Sequence, residues 1–249
     1  MVAARCDHCV FAAKPGAFNK SWAVNVGVVQ SPGEPELVCV LDADVLPDRD
    51  FPGRNVGRFL APGVGAVSPY RDMACLDPAS TALAIDQRLV RQRPAPDPAT
   101  LRMFLVRRPP GLCLWVRHDA FRRVAGMDER FEGWGGEDND FFFRVDRETP
   151  LDRYDDPILH LHHPASSALV DGQVENWSLA PGSWPPDSDI GRLDRFTGAL
   201  TPVGDSRRIV LLAGSGAGAP DPANGRNPSW GSGSGGRLGR LGRCSWRMG

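Results

Sequence analysis

Phe131-Glu132-Gly133-Trp134-Gly135-Gly136-Glu137-Asp138-Asn139-Asp140 runs directly into Phe141-Phe142-Phe143-Arg144-Val145. Three glycines and a tryptophan deliver a row of acidic and amide side chains, and an apolar run follows at once. Glycine permits tight backbone approach. Carboxylates are stabilised at a helix N-terminus by its free N–H groups and its dipole. The stretch therefore predicts a rigid loop that hands Glu137 and Asp138 to the first turn of a buried helix, where a carboxylate can serve as a general base.

Upstream, Leu37-Val38-Cys39-Val40-Leu41 is a continuous apolar run ended by Asp42-Ala43-Asp44. Such a run predicts a strand buried on both faces, as in a parallel sheet. Two carboxylates then lie just past its carboxyl end, where open α/β sheets bind ligands. An Asp-x-Asp pair there can hold a divalent cation through oxygen ligands, or can simply cap the next segment. Residues 18–27 read as a helix, with Asn19 or Ser21 as the cap and Trp22, Val26 and Val29 at helical spacing. Short strands are predicted at residues 10–13, 64–68 and 112–116, and helices at 79–92 and 120–125, the latter stopped by Gly126.

Three of the five histidines fall within His160-Leu161-His162-His163. His160 and His163 would converge in a turn, whereas His160 and His162 would share a face in a straight strand. Either pair, joined to the aspartates, makes an oxygen and nitrogen donor set suited to Mn²⁺ or Mg²⁺.

The formal net charge of the 249-residue chain is −1, so no general polyanion-binding surface is implied and nucleic acid is not expected as a partner. No 18-residue apolar stretch predicts a membrane span, and no signal peptide is visible. The six cysteines are too dispersed for a disulfide framework, and Cys6-Asp7-His8-Cys9 lacks the second pair that a zinc site needs. A cytoplasmic location, or one peripheral to a membrane, is the expectation. Glycine and proline concentrate towards the end, and residues 214–249 are rich in Gly, Ser and Arg. Residues 166–249 are thus expected to form an irregular, largely disordered tail.

Four motifs in order now carry a resemblance: Phe18-Asn19-Lys20 through Asn25-Val26-Gly27, then Leu41-Asp42-Ala43-Asp44, then Gly133-Trp134-Gly135-Gly136-Glu137-Asp138, then His160-Leu161-His162-His163. Together they resemble the metal-dependent GT-A-fold glycosyltransferases. The likeness is closest to the galactosyltransferase-type region of β-1,4-galactosyltransferases, polypeptide N-acetylgalactosaminyltransferases and chondroitin-polymerase-like bacterial enzymes. It covers residues 14–165.

The resemblance implies an α/β, GT-A-like fold with a mixed sheet flanked by helices, placed in residues 1–165. It implies transfer of a hexose or N-acetylhexosamine from a nucleotide sugar, a UDP-sugar, to an acceptor hydroxyl, assisted by Mn²⁺ or Mg²⁺. By the same resemblance Asp44, His163 and His160 would hold the metal. Asp42, Phe18, Lys20 and Asn25 would lie on the donor side. Trp134, Gly135 and Gly136 would shape the acceptor pocket, Asp138 would be the general base, and Glu137 would orient the acceptor or the loop. The family's fold begins with a strand–helix–strand unit, and only 17 residues precede Phe18. The resemblance therefore implies a chain lacking that unit and carrying an exposed sheet edge. The family also often has a Gly-Gly pair where this chain has Pro110-Gly111. Two other readings fit the same residues: an inactive fragment or carbohydrate-binding remnant of such an enzyme, and a metal-dependent hydrolase built on the Asp/His cluster.

Overall fold

The computed structural model describes residues 8–14, 16–133, 135–164, 169–170, 173–174, 176, 178–196 and 208–213. Their elements run β1 (His8–Ala13), α1 (Lys20–Val29), β2 (Leu37–Leu41), β3 (Val45–Leu46), α2 (Phe51–Arg58), β4 (Ala66–Ser68), β5 (Asp72–Leu76), α3 (Pro78–Ile85), β6 (Met103–Arg107), β7 (Cys113–Arg117), α4 (His118–Arg123), α5 (Glu137–Glu148), β8 (Leu151–Arg153), β9 (Leu159–His160), β10 (Leu169–Val170), β11 (Gln173–Val174) and β12 (Arg208–Ala213).

The chain is α/β, with mixed sheets flanked by helices, as expected. The longer assemblies are two four-stranded sheets rather than one. The first has the order β2-β7-β4-β8 and is antiparallel except for the β4–β8 pair. The second has the order β3-β9-β5-β6, with β9 and β5 parallel. Two antiparallel ribbons, β1–β12 and β10–β11, complete the described strands.

Each face of the first sheet meets its own apolar layer. Val38, Val40, Ala66, Leu114 and Val116 pack on Phe121 of α4 and on Phe141 and Val145 of α5. On the other face Val67, Cys113 and Trp115 meet Phe51 of α2, together with Val45 of β3 and Ile158 just before β9. This second layer is what joins the two sheets, since it draws residues from both.

Several sequence expectations need correction. β2 is antiparallel to β7, lies at the edge of its sheet among the described residues, and is not buried on both faces. Val38 and Val40 are buried, while Cys39 and Leu41 are exposed, Leu41 by 40%. The outward positions carry apolar side chains, so the alternation that marks a half-covered strand is hidden in the sequence. The helix expected over residues 79–92 is α-helical only through Ile85, then widens into a π-helical turn over Asp86–Val90. α2 has no counterpart in the sequence reading, because Pro52, Gly53 and Gly57 mask it. Proline is tolerated here because it occupies the first turn. Of the two candidate caps, Asn19 is the one used: its Oδ1 accepts from Trp22 N at 2.7 Å.

The segment 178–196, assigned to an irregular tail, is irregular in backbone but packs on the core. Trp184 and Ile190 join the α4/α5 layer at 8% and 6% exposure. Trp184 Nε1 donates to Ala125 O at 2.8 Å, and Trp22 Nε1 donates to Arg192 O at 2.8 Å. Low helix and strand propensity hid these anchors. The Gly/Ser/Arg-rich stretch from residue 214 onward, and Cys6 of the CxxC, lie outside the described residues. Among the described residues no helix is long and apolar enough to cross a membrane.

If this strap is part of the folded unit, Trp184→Ala should lower unfolding free energy by about 3 kcal/mol, the cost of deleting a buried aromatic. Chemical denaturation followed by circular dichroism measures it. Leu60→Ala, at an 82%-exposed position, is the control and should stay within about 0.5 kcal/mol of the parent.

Candidate active site

The acidic helix start forms as the sequence predicts. Gly136 caps α5 at φ +95°, and Glu137, Asp138 and Asp140 occupy its first turn. A β-carbon on Gly136 would stand 2.7 Å from the Phe131 ring, so the loop closes over that ring only with glycine there. Asn176 Nδ2 holds the loop from outside, donating to Glu132 O and Gly135 O at 2.9 and 3.1 Å. Phe18 joins it through its carbonyl, which accepts from Gly133 N at 2.7 Å. The Phe18 ring stays 37% exposed. Trp134 lies outside the described residues.

The acidic side chains of that first turn divide by role. Asp140 is fully buried and ion-paired with Arg144 at 2.7 Å, and it accepts from Gly182 N at 2.6 Å. It ties α5 to the 178–196 strap. Asp138, half-buried, turns the other way and meets Lys20 from the first turn of α1. Lys20 Nζ donates to both Asp138 oxygens at 2.8 and 2.9 Å and lies 2.5 Å from Asp42 Oδ1. One ammonium is thus shared by carboxylates from two distant parts of the chain. Burial alone would lower the Lys20 pKa, but Asp138 and Asp42 outweigh it and hold the ammonium well above its ordinary value. Burial raises the Asp138 carboxyl pKa; Lys20 partly offsets this and Asp42 adds to it. Glu137 is likewise raised, by burial first and the Asp138 charge second.

The wall behind Asp138 is Gly111. A β-carbon there would lie 2.6 Å from Asp138 Oδ2. Of the Gly-Gly pair expected from the resemblance, the retained Gly111 is therefore the position where space is limiting. Leu112, next in the chain, sits at φ +79°. It exchanges hydrogen bonds with Asp42: Asp42 N donates to Leu112 O at 2.8 Å, and Leu112 N donates to Asp42 Oδ2 at 3.3 Å. A left-handed leucine costs about 1–3 kcal/mol, which this reciprocal pair helps to hold. Tyr70 completes the wall, donating to Pro109 O at 2.8 Å.

The second constellation is Asp44, His160 and His163. One ligand atom of each lies within 4.8 Å of the others. Asp44 Oδ2 is 3.6 Å from His160 Nε2 and 3.2 Å from His163 Nε2. The β3–β9 pairing places Val45 opposite His160, and Leu161 N donates to Asp44 O at 2.8 Å. β9 ends at His160, so the chain turns and brings His163 back beside it. That geometry selects His160 with His163 over His160 with His162. The backbone N–H of His162 instead donates to Thr81 Oγ1 at 2.8 Å. Asp44 Oδ1 is buried without a hydrogen-bond partner. A buried, unpaired carboxylate oxygen beside two imidazoles fits a divalent cation of the Mn²⁺ or Mg²⁺ kind.

Asn25 does not belong to the site. It is fully buried, and its Nδ2 donates to Met127 O at 2.7 Å and to Glu129 Oε1 at 2.9 Å. Its Oδ1 accepts from Met127 N at 2.9 Å. With every polar atom spent on the 127–129 segment, it cannot reach a donor nucleotide. Glu129, which the sequence reading passed over, is the matching buried acid. It accepts from Gly191 N at 2.6 Å and pairs with Arg195.

Residues 108–163, from the turn before β7 through the histidine cluster, match the family model described as the N-terminal domain of galactosyltransferase. That segment, which holds the Gly133–Asp138 loop and the histidine cluster but neither of the two earlier motifs, is similar to galactosyltransferases. Among solved structures the chain is similar to a point mutant of Drosophila β1,4-galactosyltransferase 7 in complex with manganese, UDP-Gal and xylobiose. That similarity has 20% identity and a TM-score of 0.38, and covers 60% of this chain and 54% of that one. It is also similar to the catalytic domain of the same Drosophila enzyme in complex with xylobiose, at 20% identity and a TM-score of 0.34, with 60% and 54% covered. The chain thus spans about half the length of these relatives. No curated protein sequence matches it.

The histidine choice is testable directly. Isothermal titration with MnCl₂, in the presence of UDP, should show Asp44→Ala and His163→Ala weakening binding by about tenfold or more. His162→Ala should bind as the parent does. Equal losses at His162 and His163 would overturn the assignment.

Proposed function

We propose that this protein is a glycosyltransferase that moves a hexose or N-acetylhexosamine from a UDP-sugar to an acceptor hydroxyl. The observation that carries this reading is the adjacency of two constellations, two residues apart on one turn. Asp42 joins the Lys20–Asp138 cluster, and Asp44 joins the His160–His163 pair. Asp44, His160 and His163 would hold Mn²⁺ or Mg²⁺, which when bound supplies positive charge for a departing diphosphate.

The chain's own residues account for the rest. Asp138 Oδ takes the proton of the acceptor hydroxyl as its oxygen attacks the anomeric carbon. The bond from that carbon to the diphosphate oxygen breaks, and its electron pair leaves with UDP. Asp42 fixes the donor side of the cleft through Lys20 and the Leu112 backbone. Phe18, with its partly exposed ring, and Lys20 sit where the donor would enter. Gly135, Gly136 and Trp134 form the acceptor loop, and Glu137, beside the base, orients it. The raised Asp138 pKa keeps the base closer to neutral pH, where proton transfer is efficient.

UDP release from UDP-galactose, the donor held by one of the solved relatives, should require MnCl₂ and should fall about a hundredfold or more in Asp138→Asn. A general base must be ionised to act. Turnover should therefore be lost as pH falls through the raised Asp138 pKa, placing the acid limb above the ordinary aspartate range. Metal-independent release, or full turnover by Asp138→Asn, would sink the reading. Phosphate-ester cleavage without a sugar nucleotide would point instead to a hydrolase, and saturable sugar binding without turnover to a binding remnant.

A further inference from the structure

The site holds an imbalance that the transfer chemistry alone does not explain. Asp42, Glu137 and Asp138 crowd together, and the one cation in contact with them among the described residues is Lys20. Carboxylates that close suppress one another's ionisation, and partial burial adds to the effect. A protonated Asp138 could not accept the acceptor's proton.

Resting on the reading of Asp138 as base, we propose that Lys20 is its positioning residue. The Lys20 ammonium, shared between Asp138 and Asp42, keeps Asp138 a carboxylate and holds it in line with the donor side of the cleft.

Three observations carry this. The contact to Asp138 is two-pronged, to both oxygens at 2.8 and 2.9 Å, which fixes the orientation of the carboxylate as well as its charge. Lys20 opens α1, and Asn19, immediately before it, is locked from both sides. Asn19 Oδ1 caps Trp22 N, while its Nδ2 donates to Glu129 O at 2.8 Å. The ammonium therefore projects from a rigid point. Finally, glycine at position 111 is what leaves the Asp138 carboxylate its place beside Lys20, since a β-carbon there would stand 2.6 Å from Oδ2. The groups around Asp138 are Lys20 from α1, Asp42 from the β2–β3 turn, Glu137 from its own helix, Tyr70 after β4 and Cys113 of β7. Lys20 alone among them favours the ionised form.

The test is a pH titration of Asp138 by carboxyl ¹³C NMR in aspartate-labelled, metal-free full-length protein. The signal is assigned by its absence in Asp138→Asn. Lys20→Met should move the midpoint to higher pH, while Lys20→Arg, which keeps the charge, should stay near the parent. If Lys20→Met does not fold, Lys20→Gln is read in its place with the same expectation. In UDP release from UDP-galactose with MnCl₂, the acid limb of kcat should move the same way. Turnover at the foot of the parent's profile should drop roughly tenfold, and Lys20→Arg should restore it. A purely structural role would lower amplitude at every pH and leave the midpoint in place; that result, or superimposed NMR curves, overturns the proposal. Retained turnover in Asp138→Asn would instead overturn the base assignment, so the two failures are distinguishable.

Discussion

The Lys20 side of the site depends on a polar knot that never touches it. Asn25 and Glu129, both fully or almost fully buried, are joined by a hydrogen bond from Asn25 Nδ2 to Glu129 Oε1, and each also bonds to the backbone around it. A buried amide or acid left unpaired costs about 1–3 kcal/mol, so each arm of the knot enforces the others. Through it α1 is docked on the loop that precedes the acidic helix, and the 178–196 strap is docked on both. Gly126 is part of the same arrangement, since a β-carbon there would come within 2.3 Å of Asn25 Oδ1. Once α1 is fixed in this way, the Lys20 backbone stands within reach of both Asp42 and Asp138.

The electrostatic design is economical. Five acidic groups, Glu137, Asp138, Asp140, Asp42 and Asp44, lie in the first turn of α5 and the turn after β2. Their partners differ. Asp140 is neutralised by Arg144 in the interior and is structural. Asp138 and Asp42 share Lys20. Asp44 keeps one oxygen unpaired beside two imidazoles. Neighbouring carboxylates of like chemistry thereby acquire unlike tasks, a division set by partners rather than by residue type.

The sequence carried the site better than it carried the framework. The glycine-tryptophan-acid loop, the Asp-x-Asp turn and the histidine cluster were legible because each concentrates chemistry-bearing residues within a few positions. The choice of His163 over His162 came from the resemblance alone, because in the residues themselves it depends on β9 ending after two residues. The contacts of Lys20 were also out of reach: its partners lie 22 and 118 positions away, and no local pattern marks a contact of that span. β2 was misread because Cys39 and Leu41 are apolar on an uncovered face. Asn25, expected on the donor side, faces the interior instead, and an asparagine within a short motif does not itself say which way it faces. The strap was hidden by composition, since proline and glycine around Trp184 and Ile190 resemble a tail.

The two halves of the site stand on different sheets. His160 and Asp44 are placed by the β3–β9 ladder of the second sheet, whereas Asp138 rests on the helical layer of the first. Between the sheets lie Val45, Phe51, Val67, Trp115 and Ile158, an apolar filling with no directional bonds of its own. The spacing between the Asp44–His160–His163 cluster and Asp138 is therefore governed by this layer together with the turn that carries Asp42 and Asp44. Exchanging methylenes in this layer would shift the two clusters relative to one another without altering a residue of either.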